Sequence, residues 1–400
     1  MEKIPLIILA AGKGTRLKPL TDTIPKPLLK IAGKTIIQHN LDGIVDLVSE
    51  AIVVIGHKKD AYEARLGSEY RGIPIRYVIQ EDQMGTGHAA ACVRGHIAAG
   101  PCFVIYGDDL YDPAMFRKLS THQNALIGKK KEDWANYGVL RVSGDGALIE
   151  LVEKPTEYIS DLVNIGVFKL DSSFLDTIDE VTPSIRAELE LTDMVSALAR
   201  RTRVDAVVSE DTWIPVGYPW HLLDSASYLL SKMQPATEGE IEPGATIKGR
   251  VHVGKGSIVR AGSYIEGDVY IGANCDIGPN CYIRGFASIG DGCRVGAGVE
   301  IKGSILGDRT KAPHLAYIPD SVLGEDVNYA AGTICADLKH DGSNVRSMVN
   351  GQLVDTGRRK FGTVMGDASR TGIHTTIYPG RKIGAGKTTL PGQVVSEDII

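Results

Sequence analysis

The stretch Ile271-Gly272-Ala273-Asn274-Cys275-Asp276-Ile277-Gly278-Pro279-Asn280-Cys281-Tyr282-Ile283 carries a period of six. Ile271, Ile277, Ile283, Ile289, Val295 and Ile301 keep that spacing without a break, and Gly272, Gly278, Gly290 and Gly296 follow four of them. Cys275, Cys281 and Cys293 recur in one phase of the same repeat. The repeat returns at Met365, Thr371, Ile377, Ile383 and Thr389, with Gly366, Gly372 and Gly384 beside it. A short strand that turns one branched residue inward before each bend builds the triangular coils of a parallel β-helix. Such a solenoid has polar backbone at its open ends and flat sides, so identical subunits are expected to associate side by side, as homotrimers.

Working outward, the hexads begin at Ile241, and Gln234-Pro235-Ala236-Thr237-Glu238-Gly239-Glu240 reads as a linker because helical periodicity stops there. Two segments leave the repeat. The charged stretch from Asp308 to Asp320 is expected to form a loop that delivers His314, and Asp337 to Asn344 is a second interruption, expected near Asn328 and His314. A neutral imidazole held by polar neighbours can take a proton from an attacking amine or hydroxyl, so His314 is a candidate general base. A structural loop histidine is the competing reading.

The N-terminal half has another grammar. Ile4 to Leu9 reads as a buried strand that runs into Ala10-Ala11-Gly12-Lys13-Gly14-Thr15-Arg16, with Pro25-Lys26-Pro27-Leu28 following. Small residues there allow a tight turn, and exposed amides beside Lys13, Arg16 and Lys26 suit a chain of phosphates. The spacing is neither the dinucleotide fingerprint nor a P-loop. Helices are expected over 35–47, 58–66 and 87–97, alternating with strands at 51–55, 73–78 and 102–105. This order implies a mostly parallel sheet with helices on both faces, whose ligands lie beyond the strand ends. Two further loops carry chemistry. Gln80 to Ala89 offers Gln80 and Gln83 to an amide-bearing ring, with Gly85 and Thr86 leading into a helix. Val104 to Asp109 ends an apolar strand in two carboxylates, of which Asp108 is the candidate Mg2+ ligand. Strands near 137–140, 149–155 and 162–168 are expected to form a lid or wall, with Glu153, Lys154 and Asn164 meeting a sugar or phosphate. Arg186 to Ala199 reads as a helix whose Glu188, Glu190 and Asp193 serve packing and capping. Trp213 to Trp220 reads as an aromatic packing loop, and Leu222 to Met233 as a helix.

A chain of 400 residues implies at least two domains. It is 23% charged with a formal net charge of -5, which gives no broad basic surface and excludes nucleic acid as a main partner. No apolar stretch nears the roughly 20 residues of a membrane span, and the start lacks the features of an export signal. The six cysteines include no Cys-x-x-Cys pair, so a reducing, cytoplasmic setting is expected.

The segment Leu9-Ala10-Ala11-Gly12-Lys13-Gly14-Thr15-Arg16-Leu17-Lys18-Pro19-Leu20-Thr21 with Pro25-Lys26-Pro27 resembles the sugar-1-phosphate nucleotidylyltransferases. Joined to the hexads, Val299-Glu300-Ile301-Lys302 and His314-Leu315-Ala316-Tyr317, it resembles the bifunctional enzymes that make UDP-N-acetylglucosamine, particularly their archaeal members. The resemblance implies an α/β, Rossmann-like nucleotidyltransferase domain over 1–233, a linker over 234–240 and a left-handed parallel β-helix acetyltransferase domain over 241–400. It implies transfer of UMP or dTMP from UTP or dTTP, with Mg2+, to a sugar-1-phosphate, and acetylation of glucosamine-1-phosphate or galactosamine-1-phosphate by acetyl-CoA.

For individual residues, Ala11, Gly12, Gly14, Thr15 and Arg16 would hold the triphosphate and Lys26 would offset charge at the reacting phosphates. Gln80, Gly85 and Thr86 would meet the base, and Asp108 the metal. Gly138, Glu153 and Asn164 would contact the sugar and Lys154 its phosphate. In the β-helix, His314 would be the base, Arg284 and Lys302 phosphate ligands, and Tyr317 and Asn328 sugar contacts. Two positions depart from the family. Pro215 stands where a second metal carboxylate is usual, which implies weakened Mg2+ binding, and Asp337 stands where Asn is usual. A monofunctional glucose- or mannose-type nucleotidylyltransferase with an assembling β-helix, and a catalytically weak regulatory subunit, are the alternatives.

Overall fold

The computed structural model describes residues 2–56, 58–184 and 187–400. By contact the chain divides into two compact units: the stretch up to Lys13 with Ile36–Trp213, and Gly14–Thr35 with Ile214–Ile400.

The first unit is built on a mixed sheet. Its strands are β1 (Ile4–Leu9), β2 (Val48–Ile55), β3 (Ile73–Ile79), β4 (Pro101–Tyr106), β5 (Ala125–Lys130), β6 (Gly138–Val142), β7 (Leu148–Glu153), β8 (Leu162–Asp171) and β9 (Asp205–Val208). The main path runs β7-β6-β8-β4-β1-β2-β3, with β5 bridging β8 and β9. β1 lies parallel to both β2 and β4, and its Leu6, Ile7 and Ile8 are fully buried, as expected of a strand covered on both faces. The helices are α1 (Ile36–Asp42), α2 (Lys59–Leu66), α3 (Thr86–Ala91), α4 (Pro113–Leu119) and α5 (Leu191–Arg201). Met194, Val195 and Leu198 turn one face of α5 into the same apolar cluster as Leu151 and Phe168.

Three expectations need correction here. The strands expected as a lid are part of the sheet itself, with β8 antiparallel to β4, so the sheet is half antiparallel. The first and third helices are shorter than the apolar patterns suggested, and α3 gives way to turns containing Gly95 at φ +81°. The helix expected from Arg186 starts at Leu191, and Arg186 lies outside the described residues.

The second unit is the β-helix. Register advances by 18 residues per coil, from Ile265 to Ile283 to Ile301, which is three hexads to a triangle. Every one of the six hexad residues from Ile271 to Ile301 is fully buried, and Met365, Ile377 and Ile383 continue the core. This is a left-handed β-helix of parallel coils. Residues 234–240, expected as a linker, already pair within it: Ala236 with His252 and Glu240 with Ile258. Helix α6 (His221–Ser231) also belongs to this unit.

The stretch from Asp308 to Asp320 is not a protruding loop. It follows the coil with one residue fewer, pairing Arg294 with Lys311 and Ala297 with His314, because Thr310, Ala312, Ala316 and Ile318 still point inward. The second interruption is real. Pairing jumps from Ile334 to Thr376, and the insertion contains a hairpin of Arg346–Val349 with Gln352–Asp355. No helix among the described residues is long and apolar enough to cross a membrane.

Candidate functional site

In the first unit the expected residues meet at the carboxyl ends of β1, β3 and β4. Backbone bonds fix the loop after β1: Tyr62 Oη donates to Ala10 O at 2.7 Å, and Gln83 Nε2 donates to Ala11 O at 2.6 Å. Gln83 therefore braces the loop with one of its two amide hydrogens. Gln80 is buried, and its Nε2 lies 3.1 Å from Gly85 O and 3.0 Å from His88 Nδ1. Gly12 is exposed.

At the end of β4, Gly107 N donates to Leu9 O at 2.9 Å. A Cβ on Gly107 would stand 2.7 Å from Ile8 Cγ2, so glycine is required for this close approach. Asp108 follows it directly. Burial and, secondarily, the Asp108 carboxylate push the Tyr62 phenol far above its usual range. Tyr106 behaves alike: burial dominates, the Glu153 and Glu190 carboxylates add to it, and a hydrogen bond to Asn164 opposes it. Asp108, Glu153, Glu190 and Asn164 thus lie close enough to one half-buried tyrosine to act on its phenol. Asn164 Oδ1 is fixed by Gly166 N at 2.9 Å. Gly138 pairs with Glu153, and a Cβ there would lie 3.1 Å from both Glu153 Oε2 and Thr192 Cγ2. Lys154 is exposed one residue farther on.

Two residues of this group escaped the sequence reading. Glu190 is buried and accepts from Thr86 Oγ1 at 3.3 Å, while Thr86 Oγ1 accepts from Leu191 N at 3.0 Å. Thr192 is buried, and among the described residues its hydroxyl has no hydrogen-bond partner. Their signal was the run Glu188-Leu189-Glu190-Leu191-Thr192-Asp193, whose acids look like helix capping. Glu190 makes no side-chain cap to α5. Asp109 accepts from Trp213 Nε1 at 3.1 Å, which engages one oxygen of the carboxylate adjacent to Asp108. Among the described residues no cluster of three or more His, Cys, Asp or Glu forms a ready metal cage.

The second unit holds the rest of the opening loop. Gly14 adopts φ 62°, its carbonyl accepts from Thr21 Oγ1 at 2.9 Å, and its α-carbon lies beside buried Lys26. Thr15 and Arg16 are exposed, and the Arg16 guanidinium lies 5.3 Å from the Tyr218 ring centre. Tyr218 stacks on Trp220 at 4.6 Å, and Gly217 N donates to His221 Nδ1 at 3.1 Å. Burial pushes the His221 imidazole down against the Asp224 charge and a bond to the Pro215 backbone. Pro215 is thus part of a packed aromatic loop.

On the β-helix the expected residues fall into two groups. Arg284 stacks in register on Lys302, and Glu300 on Tyr317. Arg284 Nε donates to Glu300 at 2.7 Å, and Lys302 Nζ is held by Asp337 and by Asp320, the latter at 2.5 Å. Burial pushes the Asp320 carboxyl up to about 6. Against its own burial, Asp337 is held below the usual carboxylate range by Asp320 and Lys302. His314 is exposed at the end of another strand, and Asn328 bridges Lys311 and Arg370. Among the described residues no hydrogen bond or ion pair joins either to the Lys302 group. Asn328 instead lines a groove of about 420 Å³ with Arg309, Lys311, Asp326 and Arg370.

The family model for nucleotidyl transferase matches residues 6–232, and that for the GMPPB C-terminal domain matches residues 247–340. The bifunctional protein GlmU of Methanococcus maripaludis is 37% identical over 396 residues, covering 98% of this chain and 95% of that protein. The bifunctional sugar-1-phosphate nucleotidylyltransferase/acetyltransferase of Sulfurisphaera tokodaii is 36% identical, covering 98% of this chain and 97% of its own length. UTP–glucose-1-phosphate uridylyltransferase AglF of Haloferax volcanii is 33% identical over 58% of this chain and 99% of its own length. The solved structure of UDP-glucose pyrophosphorylase complexed with UDP-glucose aligns at TM-score 0.54 and 25% identity, over 58% of this chain and all of that one. With its strand-end carboxylates, opening loop and hexad solenoid, the chain belongs to the nucleotidyl transferase family, among the GlmU-like proteins that carry a β-helix.

Proposed function

We propose that this sugar-1-phosphate nucleotidylyltransferase moves UMP or dTMP from UTP or dTTP onto a glucose- or mannose-type sugar-1-phosphate. Its β-helix serves to assemble copies of the chain, as homotrimers. The observation that carries the reading is the grouping of Asp108, Glu153, Glu190 and Asn164 around Tyr106. Carboxylates and an amide in that setting suit sugar hydroxyls, which donate and accept. Gln80 supports a pyrimidine base. Its amide hydrogens are spent on Gly85 and His88, which leaves Oε1 to accept the imide hydrogen that uracil and thymine share.

In the reaction a sugar phosphate oxygen bonds to the α-phosphorus as the bond to the β-phosphate oxygen breaks and pyrophosphate leaves. Backbone amides of Gly14 and Thr15 would hold the triphosphate, with Arg16 and Lys26 offsetting its charge and Lys154 meeting the sugar phosphate. Mg2+ is usually bound by one or two carboxylates plus phosphate oxygens and water, so Asp108 fits an ion that arrives with the triphosphate. Bound there, the ion would supply charge neutralisation.

A second reading, N-acetylation of an amino sugar phosphate by acetyl-CoA with His314 as base, has one supporting feature. The groove beside the strand Lys311–His314 sets three cations against Asp326, which suits the phosphates of coenzyme A. Against it, Lys302 already faces two carboxylates. A matrix of neutral and amino sugar phosphates against UTP, dTTP, ATP and GTP, with and without acetyl-CoA, separates the readings. Nucleotide sugar from neutral sugar phosphates without any acetylated product is the expected outcome. Acetylated sugar phosphate that disappears in His314→Ala would establish the second reading instead.

A further inference from the structure

The loop from Gly14 to Thr35, which carries Gly14, Thr15, Arg16 and Lys26, belongs by contact to the β-helix unit. Its attachment is specific. Asp367 uses both carboxylate oxygens: Oδ1 accepts from Glu325 N at 2.8 Å, tying adjacent coils, and Oδ2 accepts from Thr23 Oγ1 at 2.5 Å. Asp308 repeats the arrangement, with Oδ1 on Asp291 N at 3.0 Å and Oδ2 on Lys30 Nζ at 2.6 Å. Lys382, 4% exposed, donates from Nζ to Lys18 O at 2.9 Å. Ser288 Oγ accepts from Ala32 N at 2.8 Å.

These contacts do not fall evenly along the loop. Lys382 and Asp367 hold Lys18 and Thr23, and so bracket Thr21. Thr21 Oγ1 donates to Gly14 O, and a Cβ on Gly14 would stand 3.2 Å from Thr21 Cγ2 and 3.3 Å from Lys26 Cβ, so both side chains crowd the glycine. A continuous set of contacts therefore runs from the last coils of the solenoid to the turn that offers its amides to the triphosphate. Burial depresses the Lys382 ammonium to about 8 against the Asp398 charge. Keeping a cation in so dry a place costs stability even with the Asp398 charge nearby.

We propose that Asp367 and Lys382 of the β-helix are positioning residues for nucleotidyl transfer: by bracketing Lys18–Thr23 they set Thr21, and through it Gly14 and Lys26, in the geometry that receives the nucleoside triphosphate. The β-helix then acts on the chemistry of nucleotidyl transfer as well as on assembly. This rests on the nucleotidyl-transfer reading.

The test uses the full-length chain and the variants Thr23→Val and Lys382→Met, alone and combined. Binding of UTP and dTTP with Mg2+ is measured by calorimetry, and pyrophosphate release gives the constants for triphosphate and sugar phosphate separately. One lost hydrogen bond is expected to weaken triphosphate binding and kcat/KM roughly fivefold in each single variant and more in the double, with the KM for sugar phosphate held within about twofold. The Tm of Lys382→Met at pH 7 should be no lower than that of the wild type, since the substitution removes a desolvated charge. Triphosphate binding unchanged in the double variant would overturn the inference. So would equal weakening for both substrates in step with a falling Tm, the mark of general loosening. A wild type that binds triphosphate but releases no pyrophosphate would instead refute the nucleotidyl-transfer reading, with positioning still decided by the binding constants.

Discussion

Lys302 shows how one substitution alters a charge balance. It faces two carboxylates, Asp320 and Asp337, and the family resemblance implies an Asn at the second of these positions. Asp320 carries the cost, because burial raises its folded pKa to about 6 while the unfolded chain keeps the ordinary value near 4. Between those values the folded state binds more protons than the unfolded one, so stability falls as pH rises from about 4 to 6. Asp320→Asn resembles the protonated acid and suits the left-handed backbone at φ 41°. It should raise stability by about 1–2 kcal/mol at pH 7.5, with the gain vanishing below about pH 4, as read by thermal melts across pH. Pro215 is the second departure, and it is held on His221 in a packed loop. Pro215→Asp should lower the Mg2+ concentration needed for half-maximal pyrophosphate release; an unchanged Mg2+ dependence would remove the proposed handicap. Asp108 and Glu153 were legible in the sequence because each ends an apolar strand. Glu190 was not, because an acid before a helix has the same local pattern whether it caps the helix or, as here, accepts from Thr86 and Ser184.

Elements differ in how far local sequence determines them. From Ile271 to Ile301 the coils of the β-helix were legible to the residue, since each inward position is read by the same rule and the coil length of three hexads follows from the fold's own geometry. The one-residue contraction near His314 was read as a loop, because charge on the outer face masked Ala312 and Ile318 on the inner face. In the first unit, strand existence was legible but not partnership. β8 is buried almost throughout, and that apolar run does not say which strands it will join; it sits beside β4 in the middle of the sheet. β4 runs parallel to β1, and just past its end Gly107 comes close to Ile8. Gly107→Ala should cost about 1–3 kcal/mol in denaturant unfolding and, by displacing Asp108, reduce pyrophosphate release at least tenfold while the protein remains folded at 25 °C. Full activity in that variant would show that the close contact does not set the carboxylate's position.

At the scale of the whole molecule, composition located a change of architecture near residue 234, whereas contacts assign the opening loop and α6 to the β-helix unit. No local signal announces that assignment. It depends on single long-range contacts such as Asp367 with Thr23, 344 residues apart in sequence. The central claim is nucleotidyl transfer at the strand-end site, and it is tested most directly by continuous pyrophosphate release. Wild type and Asp108→Asn would be compared with UTP or dTTP, a sugar-1-phosphate and Mg2+. The wild type should release pyrophosphate only when all three are present, and Asp108→Asn should lower the rate by about 100-fold or more. No release by the wild type, or an undiminished rate in the variant, would contradict the account.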